Sequence, residues 1–303
     1  MNSLPNKLFC FYQYTKERFS LWQFGLLAIF LGLTAGFLTQ FNIYSEHYKF
    51  FPLFLGCCAL FLFLFRLRLF DEFKDADHDA IYYPDRPVPR GLIKLSALKP
   101  IIVLTIVMEV CISLLAGINS IIIFIICFTY SLILFKEFFI SKWLKKHFTL
   151  YILLHELIAF PLFIYVMSIN GLQIFQPHNV SVWVVSFFLV LELFLLEITR
   201  KIRANDTEIG SNDTYTSQYG IKGALWLILV VLLLITGSYF YLILSYNVTN
   251  ILLYLVFPIL LFVLINICKF SLNRTEKNAK TIFFSSILFV FTLDFIFIYL
   301  LIW

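Results

Sequence analysis

Apolar runs of about 20 residues, the length that crosses a bilayer as a helix, recur along this chain. They fall at 21–41, 50–68, 99–117, 118–135, 148–169, 181–198, 223–245, 249–268 and 281–302. The pattern predicts nine membrane-spanning helices. The boundary at 117–118 is the least marked of the set; there Gly117, Asn119 and Ser120 predict a tight turn, and Asn247 and Asn250 predict another between the seventh and eighth spans. Two connections, 70–98 and 199–222, are long and polar and stand apart from the rest.

With 61% hydrophobic and only 14% charged residues, the composition excludes a soluble protein. The six cysteines, Cys10, Cys57, Cys58, Cys111, Cys127 and Cys268, lack zinc-site or disulfide spacings and read as small core residues. The opening segment, MNSLPNKLFCFYQYTKERFS, is too polar and aromatic for a cleavable signal, so the first run is expected to remain as a span. Charge then orients the bundle. Nine spans with the N-terminus inside place 22 of the 23 Lys and Arg residues on the cytoplasmic side and leave only Lys49 outside. The net charge of +5 is therefore an orientation signal, and no nucleic-acid partner is expected. Both long polar connections fall on the cytoplasmic side.

The first of them begins with five acids between residues 71 and 79. Asp71, Asp75 and Asp79 stand at i, i+4 and i+8, one stripe of a helix, with Glu72 beside it. Like charges at this spacing repel by roughly 0.2–0.5 kcal/mol per exposed pair, so the stripe asks for a cation. Hard carboxylate oxygens suit Mg²⁺, which takes one or two protein carboxylates and completes its shell with water and phosphate oxygens. Arg86 and Arg90, set among Pro84, Pro87 and Pro89, suit the phosphates themselves. The second connection repeats the mixture, with Glu197, Asp206, Glu208 and Asp213 beside Arg200, Lys201 and Arg203. Two such clusters at one mouth of an apolar cavity would hold a diphosphate through bridging metal ions.

These residues carry a resemblance. Asp71-Glu72-x-x-Asp75-x-x-x-Asp79 resembles the N-D-x-x-D-x-x-x-D motif of the UbiA-type intramembrane prenyltransferases, and Arg86-Pro87-Val88-Pro89-Arg90-Gly91 is similar to their R-P-l-x-x-G. Glu197 stands for one aspartate of the second family motif while Ala204 falls where another is expected, a pattern similar to the E-x-x-R-K-x-x-A of a bacterial subgroup. Tyr130 to Lys136 resembles the Y-x-x-x-K element, at longer spacing. The resemblance implies one transmembrane domain over residues 1–303, all-α, with nine helices in a ring around a central lipid-lined cavity. It implies an enzyme of the bacterial inner membrane that uses Mg²⁺ to transfer a prenyl group from a polyprenyl diphosphate to a small acceptor, an aromatic one in quinone biosynthesis. On that reading Asp71, Glu72, Asp75, Asp79, Glu197, Asp206 and Glu208 hold metal, with the first four and Glu197 catalytic. Arg86, Arg90, Lys136, Arg200 and Lys201 hold the diphosphate.

Plainer readings stand beside this one. The stripe can be a solvated helix end paired with Arg66, Arg68 and Lys74, the 197–213 cluster an ordinary loop, and Lys136 a positive-inside anchor. His155-Glu156 lacks the second histidine of a zinc motif, since residue 159 is Ala, and reads as a polar pair inside the bundle. Glu109, Glu192 and Asp294 lie inside apolar spans, where an ionisable group calls for a polar cavity or a partner; Glu192 is expected to face the acceptor and Asp294 to be structural. A transporter or channel using the acidic mouth as a cation site is the alternative from another class. A CDP-alcohol phosphatidyltransferase is ranked low, because its D-G opening and following A-R are missing.

Overall fold

The computed structural model describes residues 7–44, 48–144, 146–173, 180–204, 214–246 and 250–302. Among these residues there is helix and no strand, and nine helical stretches are long and apolar enough to cross a membrane. Every expected span is present. A helix satisfies all of its backbone groups internally, which is why sustained apolar runs of this length fold this way in lipid.

The polar flanks are where the structure departs from the pattern. Helix α1 (Lys7–Arg18) precedes the first span, α2 (Leu21–Tyr44). The second span, α3 (Phe50–Lys74), runs six residues past the expected boundary and is followed at once by α4 (Ala76–Tyr82). After the Arg-Pro turn come α5 (Leu95–Ala116) and α6 (Ile118–Phe135), joined by Gly117 alone at φ 103°. That backbone region favours glycine, so Gly117 makes the turn while Asn119 and Ser120 lie inside α6. A short α7 (Ser141–Leu144) leads to the fifth span, which is broken into α8 (Phe148–Glu156) and α9 (Ala159–Ile169). The remaining spans are α10 (Val180–Arg200), α11 (Tyr215–Ser245), α12 (Val256–Leu272) and α13 (Glu276–Ile302).

The helices form two compact units, one of Met1–Gly32 with Lys49–Gln173 and one of Leu33–Tyr48 with Ile174–Trp303. In the first, α3 packs on α5 and α9, and α6 on α5 and α9. Close approach explains Gly56 on α3: a Cβ there would lie 2.9 Å from Asn170 Nδ2 and 3.2 Å from Val166 Cγ1. An aromatic cluster ties α1 to this unit. Phe19 stacks on Phe24 at 4.1 Å and meets Phe65 at 5.0 Å, beside buried Tyr14 and Leu69. In the second unit α10 packs on α11 and α13, and α12 on α13.

Candidate functional site

The end of α3 carries the first acidic motif. Asp75 breaks the helix between α3 and α4 at φ −99°, ψ 9°. Hydrogen bonds nevertheless continue through the break: the Asp75 N–H donates to the Asp71 carbonyl and the Asp79 N–H to the Asp75 carbonyl, both at 2.8 Å. The four-residue spacing is therefore kept in space. The four acids do not share one environment, however. Glu72 accepts from Arg18 Nε at 2.7 Å and from Arg68 Nη2 at 2.9 Å, and Asp79 accepts from Arg18 Nη2 at 3.2 Å and from Arg86 Nη1. Both are buried. Asp71 has a 40% exposed side chain and a looser partner in Lys74, with Nζ at 3.3 Å.

Asp75 is half-buried and forms no salt bridge among the described residues. Burial holds its carboxyl up at about 6; Lys74 opposes this, while Asp71, Asp79 and Glu137 add negative potential. A point surrounded by carboxylates and lacking a paired cation fits a divalent metal. The fit belongs to Asp71 and Asp75, a number of carboxylates that Mg²⁺ commonly accepts. Among the described residues no three His, Cys, Asp or Glu side chains stand close enough to hold a metal by themselves. Of the expected four-residue stripe, Glu72 and Asp79 are thus held by arginines, Asp71 lies 3.3 Å from Lys74 and 3.9 Å from Arg68, and Asp75 has no ion pair among the described residues.

The basic residues of the Arg-Pro turn are also engaged. Arg86 lies over the Tyr83 ring at 3.5 Å while bonding Asp79, and Arg90 donates to both Glu17 oxygens, at 2.8 and 2.7 Å, and to the Asp85 carbonyl. The Arg90 guanidinium holds the Glu17 carboxyl below its usual range. Lys136 caps α6 and is exposed, its Nζ 5.2 Å from the centre of the Phe135 ring. In the second unit Glu197 accepts from Arg200 Nη2 at 2.7 Å and lies 2.9 Å from Lys201 Nζ, so these three form one i, i+3, i+4 cluster at the end of α10. Ala204 is buried, and Asp206, Glu208 and Asp213 lie outside the described residues.

Several participants escape sequence reasoning. Arg18 clamps two motif acids from 54 and 61 residues away, brought there by α1 and the Phe19 cluster. Its only sequence signal is a basic residue at the end of a helix that the span pattern ignores. Glu137, beside Asp75, is 5% exposed and begins a left-handed turn: Glu137, Phe138 and Phe139 have φ of 46°, 55° and 60°. Non-glycine residues rarely adopt this region, and clusters of them mark functional sites. Arg66 does not pair with the stripe. Its Nε donates to Glu109 Oε2 at 2.7 Å and its Nη1 to Ser131 Oγ at 2.8 Å, with all of Arg66 and Glu109 buried. Two opposite charges inside neighbouring apolar spans were the legible hint of that pair.

A cavity of about 120 Å³ opens beside the motif in the first unit, its polar wall made of Asp71, Lys74, Ser131 and His155. In the second unit Glu192 and Asp294 are fully buried within electrostatic reach of each other, and Asp294 meets Thr34.

A model of the UbiA prenyltransferase family matches residues 26–289. The fold is similar to that in a structure reporting on a digeranylgeranylglyceryl phosphate synthase in membranes, with TM-score 0.59 and 18% identity over 90% of this chain and 93% of that one. It is also similar to the apo structure of a UbiA homolog from Aeropyrum pernix K1, with TM-score 0.64 and 12% identity over 88% of this chain and 96% of that one. No curated protein matches the sequence.

Proposed function

The chain belongs to the UbiA prenyltransferase family, and from that premise we propose that it transfers a prenyl group from a polyprenyl diphosphate to a small acceptor within the membrane, with Mg²⁺ held at Asp71 and Asp75. The observation that carries the metal assignment is the half-buried Asp75, one helical turn from Asp71, with carboxylates around it and no salt bridge of its own among the described residues. Mg²⁺ bound there would neutralise the charge that develops on the departing diphosphate.

The protein's own residues have three tasks. Arg18 and Arg68 neutralise Glu72, and Arg18 and Arg86 neutralise Asp79, which holds α3 and α4 in register and leaves Asp71 and Asp75 to the metal. Arg86 and Arg90, already bonded to carboxylates across the Arg-Pro turn, present guanidinium forks of the geometry that phosphate oxygens accept, and Lys136 supplies a further exposed cation. Glu197 with Arg200 and Lys201 is assigned to the second motif, the glutamate as metal ligand and the two cations as diphosphate ligands, with Asp206 and Glu208 joining the glutamate. The channel alternative is set aside by family membership. The proposed orientation puts the N-terminus and both motif segments in the cytoplasm, since 22 of 23 basic residues then lie inside.

The test uses membranes containing the full chain, Mg²⁺ and a labelled allylic diphosphate. Asp75→Asn, which keeps size but removes the charge, is expected to abolish turnover, while an unchanged rate would remove Asp75 from the metal site.

A further inference from the structure

Among the described residues, the four acids of the first motif face four Lys or Arg side chains, Arg18, Arg68, Lys74 and Arg86. The motif is therefore close to neutral by itself. A divalent cation entering it competes with a base already present, because like charges repel strongly at short range in a half-buried site. How firmly each base is held decides which one yields.

The three arginines are held firmly. Arg18 bridges Glu72 and Asp79, Arg68 lies 2.9 Å from Glu72 and 3.9 Å from Asp71, and Arg86 pairs with Asp79 while lying over the Tyr83 ring. Each would lose two contacts on leaving. Lys74 has a single ion pair, with Nζ 3.3 Å from Asp71 Oδ1, which is longer than the ~2.7–2.9 Å of a charge-assisted hydrogen bond. Its ammonium is a point charge on a flexible four-carbon stem, so it can move without disturbing the helix.

Lys74 serves both proposed metal ligands. It is the last residue of α3, directly before the break at Asp75. Burial raises the Asp75 carboxyl, and Lys74 is the charge that opposes the rise. The Lys74 side chain is only 11% exposed, so an ammonium that left Asp71 without a new partner would be a nearly buried lone charge. That is costly, and release therefore calls for an anion beside the motif. A plainer role, a cation favouring the C-terminal end of a helix dipole, predicts a loss of stability on its removal and no change in metal affinity.

We propose that Lys74 is the built-in counter-ion of Asp71 and Asp75: it keeps a divalent cation from binding the pair alone, and moves to a phosphate oxygen when the cation arrives with a diphosphate. The inference rests on the prenyl-transfer reading for the diphosphate. The competition at Asp71 is carried by the ion pair itself.

The test uses the full-length protein in detergent, with Mn²⁺ standing for Mg²⁺ and its free concentration read by electron paramagnetic resonance. Wild-type protein is expected to bind Mn²⁺ weakly in the absence of pyrophosphate, and Lys74→Gln to bind it about tenfold more tightly, a gain that a structural defect would not produce. Lys74→Arg, which keeps the charge, should match wild type, and adding Asp75→Asn to Lys74→Gln should remove the gain. Equilibrium dialysis of labelled pyrophosphate at saturating Mg²⁺ should show about tenfold weaker binding to Lys74→Gln, the loss of one charge-assisted contact. Lys74→Met carries the same expectations if Lys74→Gln does not fold. The proposal is overturned by Mn²⁺ affinity that is unchanged or weaker without Lys74, by a gain that survives Asp75→Asn, or by unchanged pyrophosphate binding. Protein that shows both changes but consumes no allylic diphosphate as wild type would refute the transfer reading alone.

Discussion

Asp75 shows how far one side chain's environment can separate it from neighbours with the same chemistry. Glu72 and Asp79 are buried and paired with arginines, whereas Asp75 is half-buried with carboxylates around it and no salt bridge among the described residues. The consequence for pH has a definite sign. Its carboxyl is raised from 3.8 to about 6 in the folded state, so without metal its contribution to stability is present below about pH 4 and lost as pH rises through 6. Metal-free Asp75→Asn is therefore expected to be no less stable than wild type at pH 7.5, although inactive. Thermal unfolding in detergent at pH 5 and 7.5, with a chelator, checks this. Activity should run the opposite way, falling as pH drops through 6, because only the carboxylate binds metal. A flat pH–rate profile between 5 and 7.5 would separate Asp75 from the chemistry.

Among the elements, the segment joining α6 to α7 departs most from ordinary backbone. Three successive non-glycine residues with positive φ cost on the order of 1–2 kcal/mol each, and the turn they make keeps Glu137 buried beside Asp75. Phe139 is 80% exposed, so it gives little packing in return for its conformation. Phe139→Gly should stabilise the protein by about 1 kcal/mol, seen as a higher midpoint of thermal unfolding. A drop in that midpoint would mean that the exposed ring has a contact in the membrane. The sequence does not announce this turn, since Lys136-Glu137-Phe138-Phe139 contains neither the Gly nor the Asn that usually marks positive φ.

At the scale of the whole molecule, orientation is set by charge asymmetry, and Lys49 is the sole basic residue assigned outside. In a cysteine-free background, Lys49→Cys should react with a membrane-impermeant thiol reagent in intact cells, while Lys136→Cys should react only after the membrane is opened. The reverse labelling pattern would invert the bundle and move both motifs to the outer face.

The nine spans were legible because water-free lipid leaves a long apolar run almost no alternative to helix, and periodicity barely enters. The first motif was equally legible, because carboxylates four residues apart keep their spacing in any helix, including one interrupted at Asp75. Tertiary structure decided which of those carboxylates are buried against arginines. Arg18 reaches Glu72 and Asp79 only because Phe19 packs among Phe24, Phe61 and Phe65, a contact that no local pattern encodes. The same holds for Arg66, whose partner Glu109 lies on another helix 43 residues away. Sequence by itself determined the membrane, the helices and the class of chemistry, all of which depend on composition and local spacing. Pairing of buried charges depends on long-range packing, and that is what separated Asp71 and Asp75, the proposed metal ligands, from the arginine-held Glu72 and Asp79.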